Sequence, residues 1–412
     1  MRHVVVMVTT SYPRFPGDSV GTFMEPIATH VAELGHEVHI VAPWHPLVRR
    51  PPEERGVFFH FFKYAPVRAL NVFGYAAGLH ADVKVRGAAW AATPLALAAG
   101  TFKAMRVAQK RHATIMHGHW VVPGGAIAAA ARPALPLVVS LHGSDVFVAE
   151  RNAAVGMAAR RVFRRAGFVT ACSGDLAARA ERLGAPSDRL EVVPYGVDVE
   201  RFRPDATERE TLRARVRAEP RQPLLFAAGR LVRKKGFEYL IDALPQIASE
   251  WRPVLAIAGG GDLEAELRER AARAGVADRV VFLGDLPQDA VGKWFAAADV
   301  AVAPSVRDDS GNVDGLPNTV LEALASAAPL VATSAGGISS VVTDGRTGLL
   351  VPERDPAAIA RAIERLLRDP AAAAALGSAA RASVESRFGW RNTAARFVEA
   401  YDRALALKLH GR

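Results

Sequence analysis

The sequence predicts an α/β protein made of two doubly wound domains, each with a parallel sheet. Short apolar strands alternate with helices from end to end of the 412 residues, a pattern typical of parallel sheets covered on both faces. The alternation restarts after residues 194–204, which hold two prolines and show no clear period, as a link between domains does. A chain of this length is also too long for one ordinary domain.

Each predicted domain has its own strands and helices. In the first, residues 22–34 form a helix that Gly35 ends, and residues 94–111 form another that begins at Thr93 and Pro94. Residues 68–90 fit either helix or loop, residues 238–249 and 263–274 are helices of the second domain, and two Ala/Arg-rich helices close the chain. The predicted strands are residues 3–9, 38–42, 57–62, 114–117, 137–141, 168–171 and 190–193 in the first domain, and 224–228, 254–258, 280–283, 300–303, 330–333 and 349–351 in the second.

The positive charge is concentrated in one part of the first half. The chain has a formal net charge of +10, and residues 49–111 alone hold 11 basic and 3 acidic residues. Nucleic acid and an anionic membrane surface are candidate partners for such a region. No zinc-finger or RNA-binding aromatic signature accompanies it, so nucleic acid is not expected. The alternative is a solvated surface in an Arg-rich protein.

Several features predict a cytoplasmic protein. Cys172 is the single cysteine, so no disulfide can form within the chain, which suits a reducing compartment. The first residues have the pattern of a strand rather than a secretion signal. The longest run of low charge, residues 87–102, is too short to span a bilayer and contains Pro94.

One stretch of the second domain, residues 301–330, carries the strongest chemical signal. Asp314 and Glu322 lie eight positions apart around the predicted start of a helix, which Gly315, Leu316 and Pro317 open. Pro317 is expected in the first helical turn, where its missing N–H costs nothing. A helix N-terminus offers free N–H groups and partial positive charge to a phosphate. The alternative is an ordinary capped helix with a solvated glutamate.

Two basic residues follow the first strand of the second domain. Arg230 and Lys235 lie five positions apart before a helix, and an Arg and a Lys that converge on a helix start suit a diphosphate. The following Gly259-Gly260-Gly261 run resembles a dinucleotide fingerprint, but Glu264 occupies the position of the required third glycine. An NAD-dependent dehydrogenase is therefore excluded at this motif.

The first domain adds glycines and histidines at the carboxyl ends of its strands, where ligands of open α/β sheets bind. Gly17 and Gly21 follow the first strand, and His142 follows a central one. A histidine there can hydrogen-bond a ligand hydroxyl, or it can be structural. His117 and His119 have no acidic or histidine partner at metal-ligand spacing, so metal catalysis is not expected.

Four segments resemble those of a known family: AAGRLVRKKGFEYLIDAL, IAGGGDLEAEL, VFLGDLP and DGLPNTVLEALASAAPLVATSAGG. Their order and spacing are similar to those of the retaining glycosyltransferases of family 4 (glycosyl transferases group 1), over nearly the whole chain. The resemblance implies the GT-B fold, in which two Rossmann-like domains face each other across a cleft and a C-terminal helix returns to the first. The implied domains are residues 1–198 for the acceptor, 199–385 for the nucleotide-sugar donor and 386–412 for the returning helix.

The resemblance also implies a reaction and its residues. A sugar would pass from a UDP- or GDP-linked donor, with retention and without metal or cofactor, to a saccharide or lipid-linked saccharide. Glu322 would bind the donor ribose, and Asp314 would lie near the sugar hydroxyls or the reacting face of the sugar. The implied catalytic residues are His142, Asp314, Arg230 and Lys235; the donor-binding ones are Gly17, Gly21, Arg230, Lys235, Gly284, Asp314, Gly315, Leu316, Pro317, Asn318 and Glu322; and the acceptor-binding ones are His117, His119, Trp120 and Asp145.

The same resemblance suggests a place and partners for the enzyme. Residues 49–111 lie where the family binds acceptors, so we expect docking of a monomer or homodimer on the inner face of the cell membrane, in the synthesis of cell-surface polysaccharide or glycolipid. Asp314 stands where most members have Glu, and Ser334 where many have Asp, which leaves the sugar open. The alternatives are a nucleotide-sugar epimerase or phosphorylase of the same fold, and a non-catalytic nucleotide-sugar-binding subunit.

Overall fold

The chain folds into two compact units. The computed structural model describes residues 1–18, 20–65, 71, 74–75, 79–80, 84–85 and 87–410. One unit combines Met1–Tyr195 with Trp390–Arg412, and the other is Gly196–Gly389. The sequence prediction had placed the two divisions after residues 198 and 385. The acceptor and donor roles assigned to the two domains stay predictions.

The first unit has a parallel sheet with one antiparallel edge strand. In chain order its strands are β1 (Val4–Val8), β2 (Glu37–Pro43), β3 (Glu53–Glu54), β4 (Val57–Phe62), β5 (Leu79–His80), β6 (Lys84–Val85), β7 (Ile115–His119), β8 (Leu137–Leu141), β9 (Phe168–Ala171) and β10 (Leu190–Val192). The spatial order in the described residues is β10–β9–β8–β7–β1–β2–β4–β3, with β3 antiparallel to β4. β5 and β6 form a separate antiparallel pair.

Helices from both ends of the chain cover this sheet. They are α1 (Met24–Glu33), α2 (Gly87–Lys110), α3 (Ala126–Ala131), α4 (Ser144–Arg151), α5 (Ala153–Arg165), α6 (Gly174–Arg182) and, from the C-terminus, α14 (Trp390–His410), in whole-chain numbering. Phe397 and Tyr401 of α14 are buried in one core with Met7 of β1 and Ile27 of α1. The C-terminal helix thus returns to the first domain, as predicted.

The second unit has an all-parallel sheet in the described residues. Its strands are β11 (Leu224–Ala228), β12 (Val254–Ala258), β13 (Val280–Gly284), β14 (Val300–Ala303), β15 (Leu330–Thr333) and β16 (Leu349–Val351), in the spatial order β13–β12–β11–β14–β15–β16. Its helices are α7 (Arg209–Arg215), α8 (Phe237–Ala243), α9 (Glu264–Arg273), α10 (Gln288–Ala297), α11 (Asn318–Ala325), α12 (Pro356–Arg368) and α13 (Pro370–Arg387). The predicted α/β class with two doubly wound sheets is confirmed.

Three predicted helix ends are wrong, each at a proline. α2 begins at Gly87 and continues through Pro94, because the alanine-rich sequence on both sides favours helix strongly enough to tolerate one missing N–H. α8 ends at Ala243, and a 3-10 turn that contains Pro245 follows. Pro317 precedes α11 with ψ 120°, outside the helical range, so it is the N-cap rather than a residue of the first turn.

The structure bears only partly on the basic region. Most of residues 68–86, where helix or loop was expected, lie outside the described residues. Residues 87–90 are helical as the start of α2. No helix in the described part of the chain is long and apolar enough to cross a membrane.

Candidate active site

The second unit brings its candidate site residues to one end of its sheet. β11 and β14 are neighbours, although β12 and β13 separate them in sequence, so the strand order reverses between them. Ligands of doubly wound sheets bind outside the carboxyl ends of the strands at such a reversal. Arg230 and Lys235 follow β11, and Asp314 follows β14. The predicted diphosphate residues and the predicted sugar-facing carboxylate therefore lie in adjoining loops.

A tight turn holds the lysines that follow β11. Arg233–Lys235 forms one 3-10 turn. Gly236 caps the end of this turn in the left-handed conformation, with φ +64°. A Cβ on Gly236 would lie 2.0 Å from the carbonyl oxygen of Pro304, so only glycine lets the turn approach the end of β14 this closely. The N–H of Val306 donates to the carbonyl of Lys234 at 2.9 Å. The two loops are thus joined through their main chains.

Asp314 lies between two lysines. Its Oδ1 is 2.9 Å from Nζ of Lys234, and its Oδ2 is 2.5 Å from Nζ of Lys235. The three side chains are only 13–14% exposed. Burial alone would raise the pKa of Asp314, but the two ammonium groups hold it well below its ordinary value. The lysine cluster, which we define as Lys234, Lys235 and Asp314, therefore carries one net positive charge at the strand reversal.

Glu322 is buried in the second turn of α11, where it is 8% exposed. Burial raises its pKa to about 7, and Lys235 and Arg201 limit the rise. Asn318, one turn earlier on the same helix face, has a buried side-chain oxygen with no hydrogen-bond partner among the described residues. A carboxyl and an amide side by side can bind a pair of hydroxyls such as the ribose diol. This arrangement suits the ribose-binding role predicted for Glu322, which stays a prediction.

Replacing Glu322 with glutamine is expected to change how stability depends on pH. The pKa of this carboxyl is 4.5 when unperturbed and about 7 in the folded protein, so the folded state holds the proton more tightly. This tighter proton binding adds to the free energy of unfolding. The contribution is fully present below about pH 4.5 and is lost as the pH rises through about 7. Glutamine has no such loss. Between pH 5 and pH 8 the wild type should lose about 2.5 kcal/mol more than Glu322→Gln.

Chemical denaturation of both proteins at pH 5 and pH 8 measures this difference. Comparing each protein with itself removes any constant cost of the buried amide. Parallel pH profiles for the two proteins would show that Glu322 does not titrate in this range.

Glycines shape the main chain around the lysine cluster. The side chain of Lys235 crosses Gly229, where a Cβ would lie 3.2 Å from Cε of the lysine. The N–H of Gly259 donates to the carbonyl of Gly284 at 2.8 Å, and a Cβ on Gly259 would lie 2.1 Å from the carbonyl oxygen of Gly229. A Cβ on Gly284 would have no atom within 4 Å. The space beside Gly284 is therefore open, as is expected of a residue that binds the donor.

The residues just before α11 have distinct surroundings. Leu316 is buried, whereas Gly315 is partly exposed beside it. Pro317 forms no side-chain hydrogen bond to the first turn of α11. The first N–H groups of this helix are therefore left to the main chain, solvent or a ligand. The donor-binding roles of these three residues stay predictions.

In the first unit, both ring nitrogens of His142 are engaged. Nδ1 is 2.7 Å from the hydroxyl of Tyr195, and Nε2 is 3.1 Å from Nδ1 of His119. Burial lowers the pKa of His142 well below its ordinary value and that of His119 to about 3, so both rings are neutral at pH 7. A sugar hydroxyl can bind the His142 ring only by replacing one of these partners. Its catalytic role stays a prediction.

Asp145 organises the main chain around His142. Its Oδ2 accepts from the N–H of Val121 at 2.8 Å, and its Oδ1 accepts from the N–H groups of His142 and Gly143 at 3.2 and 3.0 Å. Burial raises the pKa of Asp145, and these N–H donors oppose the rise. Because both oxygens are used within the protein, the structure favours a positioning role over the predicted contact with acceptor.

His117 is a core residue inside a strand, whereas the sequence predicted it as the last residue of that strand. It lies inside β7 with no exposed surface. Its Nδ1 is 2.8 Å from the hydroxyl of Tyr401, and its Nε2 is 2.7 Å from Oγ of Ser140. Neither ring nitrogen is available to an acceptor, so we remove His117 from the candidates. His119 ends the same strand and is equally buried.

Trp120 remains a candidate for contact with the acceptor. It is partly exposed at φ +64°, an uncommon conformation for a tryptophan. Its ring centroid is 4.6 Å from that of His142 and 5.8 Å from that of Phe23. Phe23 also stacks on Tyr195 at 4.9 Å. Aromatic faces of this kind can pack against the apolar face of a sugar ring.

The loop after β1 is closed by an ion pair that the sequence analysis did not identify. Arg14 donates from Nε to Oδ2 of Asp18 at 2.6 Å and from Nη2 to Oδ1 at 2.8 Å. Gly17 and Gly21 flank Asp18 at φ +85° and +68°. A Cβ on Gly17 would have no atom within 4 Å, whereas one on Gly21 would lie 3.3 Å from Oγ of Ser11. Ser19, between them, lies outside the described residues.

Lys234 and Tyr195 also contact predicted site residues, although neither was predicted as a site residue from the sequence. Only 8 of the 52 basic residues are lysines, and two of these eight are adjacent at positions 234 and 235. That scarcity was a signal for Lys234. No comparable signal relates Tyr195 to His142, which lies 53 positions earlier.

Comparison with known proteins agrees with this architecture. The family model described as Glycosyltransferase Family 4 matches residues 20–201, and the one described as Glycosyl transferases group 1 matches residues 222–369. The solved structure of sucrose-phosphate synthase from Thermosynechococcus elongatus superposes with a TM-score of 0.78 at 22% identity, over 98% of this chain and 100% of that one. The structure is therefore a GT-B fold, as the resemblance implied.

Two characterised relatives narrow the class. The GDP-mannose-dependent alpha-(1-6)-phosphatidylinositol monomannoside mannosyltransferase of Mycolicibacterium smegmatis is 37% identical over 64% of this chain and 69% of its own length. The D-inositol 3-phosphate glycosyltransferase of Xylanimonas cellulosilytica is 33% identical over 75% of this chain and 76% of its own. Fold and sequence together define a glycosyltransferase. The chain belongs to glycosyltransferase family 4.

Proposed function

We propose that this glycosyltransferase transfers a hexosyl group from a nucleoside-diphosphate sugar to an inositol phosphate or inositol phospholipid, with retention at the anomeric carbon. The lysine cluster at the strand reversal of the second unit carries the proposal, because it places buried positive charge where a diphosphate would bind. GDP-mannose is the preferred donor, since the mannosyltransferase relative is GDP-mannose-dependent by name. UDP-linked donors are the alternative.

The chemistry needs no metal ion. Breaking the bond between sugar and diphosphate builds negative charge on the leaving oxygen and positive charge on the sugar ring. Lys235 and Lys234 supply buried positive charge that stabilises the negative charge on the leaving oxygen. Arg230, exposed at the end of β11, adds a third cation. In a retaining transfer the acceptor attacks from the side of the leaving group, so the departing diphosphate can take the acceptor's proton. No carboxylate of the first unit is then required as a base.

The proposed acceptor follows from what the two relatives share. One name contains phosphatidylinositol monomannoside and the other inositol 3-phosphate, so a phosphorylated inositol is common to both. A lipid-linked acceptor would bring the enzyme to an anionic membrane. α2 has suitable residues for this: Leu95 and Phe102 are 60% and 56% exposed one heptad apart, and Arg106 and Lys110 follow on the exposed side.

Thermal denaturation with UDP, GDP, ADP and their hexoses tests the donor, because a ligand bound only by the folded state raises Tm. We expect the largest rise with GDP or GDP-mannose, and an unchanged rise in EDTA. Transfer is then followed with radiolabelled donor and three acceptors: free inositol 3-phosphate, and phosphatidylinositol or phosphatidylinositol monomannoside in anionic vesicles.

Each outcome assigns a function. Labelled product identifies a transferase and its acceptor, and its anomeric configuration reports retention or inversion. Epimerised donor without product would indicate an epimerase, and nucleotide-sugar binding without turnover would indicate a non-catalytic subunit. No rise in Tm with any nucleotide would contradict the proposal.

A further inference from the structure

The lysine cluster contains an anion of its own at the place where the donor's diphosphate is proposed to bind. Asp314 occupies both lysines, one on each carboxylate oxygen. The resemblance implied that this carboxylate faces the donor sugar, but its partners here are Lys234 and Lys235. Asp314 can therefore pair either with the two lysines or with the donor sugar. The lysines can pair either with Asp314 or with the diphosphate.

The main chain around Asp314 is held tightly. A Cβ on Gly336, which has φ +56°, would lie 2.1 Å from the carbonyl oxygen of Asp314. The lysine turn is also fixed, by the hydrogen bond from Val306 to Lys234 and by the close approach of Gly236 to Pro304. An exchange of partners at this site would therefore require rotation of side chains rather than movement of either loop.

The charges favour such an exchange. The lysine cluster has a formal charge of +1, and a diphosphate carries more negative charge and more acceptor oxygens than a carboxylate. A buried carboxylate that loses its cations needs new partners, because an unpaired buried charge is costly. Hydroxyl groups of a sugar attached to that diphosphate would supply them.

We propose that Asp314 is an exchangeable internal anion: it holds Lys234 and Lys235 until the donor's diphosphate takes them over, and its carboxylate is then released to the donor sugar. The inference rests on the proposed function for the identity of the donor. It makes Lys234 a second diphosphate-binding cation beside Lys235. It also makes recognition of the sugar conditional on prior binding of the diphosphate.

Binding of inorganic pyrophosphate and of GDP, measured by calorimetry, tests the exchange. In Asp314→Asn the lysines lose their competing anion, so we expect both ligands to bind about tenfold more tightly than to the wild type. The kcat of transfer should fall at least tenfold, because the amide replaces the carboxylate at the sugar. Asp314→Glu keeps the charge and should bind pyrophosphate within about twofold of the wild type. Lys234→Ala should bind it about tenfold more weakly.

Matched controls distinguish exchange of the anion from a role in which Asp314 only holds the two lysines in position. Asp309 lies in the same loop, is exposed and pairs with Arg354 at 2.9 Å, so Asp309→Asn should leave pyrophosphate binding unchanged. Asp314→Ser, which also removes the charge, serves if the Asn variant does not fold. Weaker or unchanged pyrophosphate binding in the charge-removing variants would overturn the exchange. If the charge-removing variants bound pyrophosphate more tightly but the wild type transferred no sugar, the exchange would stand and only the proposed function would be contradicted.

Discussion

Replacing Lys235 with alanine should lower kcat for glycosyl transfer by about 10²- to 10³-fold, the usual effect of removing one preorganised group that stabilises charge in the transition state. Nζ of Lys235 is nearly buried beside Asp314 at the strand reversal, where a charge interaction is stronger than in water. The loss should appear mainly in kcat, because charge on the diphosphate grows as the bond to the sugar breaks. Steady-state kinetics at saturating donor measures it.

Arg233 provides a matched control for this variant. It lies in the same 3-10 turn, two positions earlier, but its side chain is 51% exposed and pairs with Glu266 at 2.6 Å. Exposed pairs of this kind contribute little, so Arg233→Ala should keep kcat within about twofold. If the two alanine variants had equal kcat, Lys235 would not contact the leaving group.

Replacing Gly259 with alanine should destabilise the second unit by more than about 3 kcal/mol. Gly259 has φ +123°, which an alanine rarely adopts, and its new Cβ would lie 2.1 Å from the carbonyl oxygen of Gly229. That oxygen belongs to the main chain at the end of β11 and cannot rotate away as a side chain can. Urea denaturation of the variant should show a clearly lower midpoint, with donor affinity reduced because the loop that carries Arg230 must shift.

Gly284 distinguishes a steric cause from backbone strain. It also has a positive φ, +69°, but a Cβ there would meet no atom within 4 Å. Gly284→Ala should therefore cost only the strain of the left-handed conformation, about 1–2 kcal/mol. Equal destabilisation of the two variants would mean that the contact with Gly229 relaxes easily.

The strands were the most predictable part of the fold. β8 and β11 coincide with the predicted residues 137–141 and 224–228, because a short apolar run between loops has few alternatives to a buried strand. The ends of α2 and α8 were not predictable in the same way. Alanine-rich sequence favours continuation of a helix, whereas a proline favours its end. α2 continues through its proline, but α8 ends just before one.

The location of the site was predictable, but its internal contacts were not. Lys235, Asp314 and Glu322 were identified because strand ends in doubly wound sheets carry ligand-binding loops. Which way each side chain points depends on packing that the local sequence does not encode. Asp314 turns to the lysines, and the ring of His142 is occupied by Tyr195 and His119. Such pairs join residues far apart in sequence, and a single amino-acid sequence gives no sign of them.

The return of α14 to the first unit has a consequence for how the protein is made. Tyr401 bonds to His117 at the centre of the first sheet, and Asp402 reaches His3 near the N-terminus at 2.9 Å. These α14 partners are synthesised after the whole of the second unit. The second unit, which is continuous in sequence, can complete its core first, while the first 195 residues wait with an uncovered apolar face. The first unit, most of which is synthesised before the second, is thus completed after it, and its uncovered apolar face needs protection from aggregation during translation.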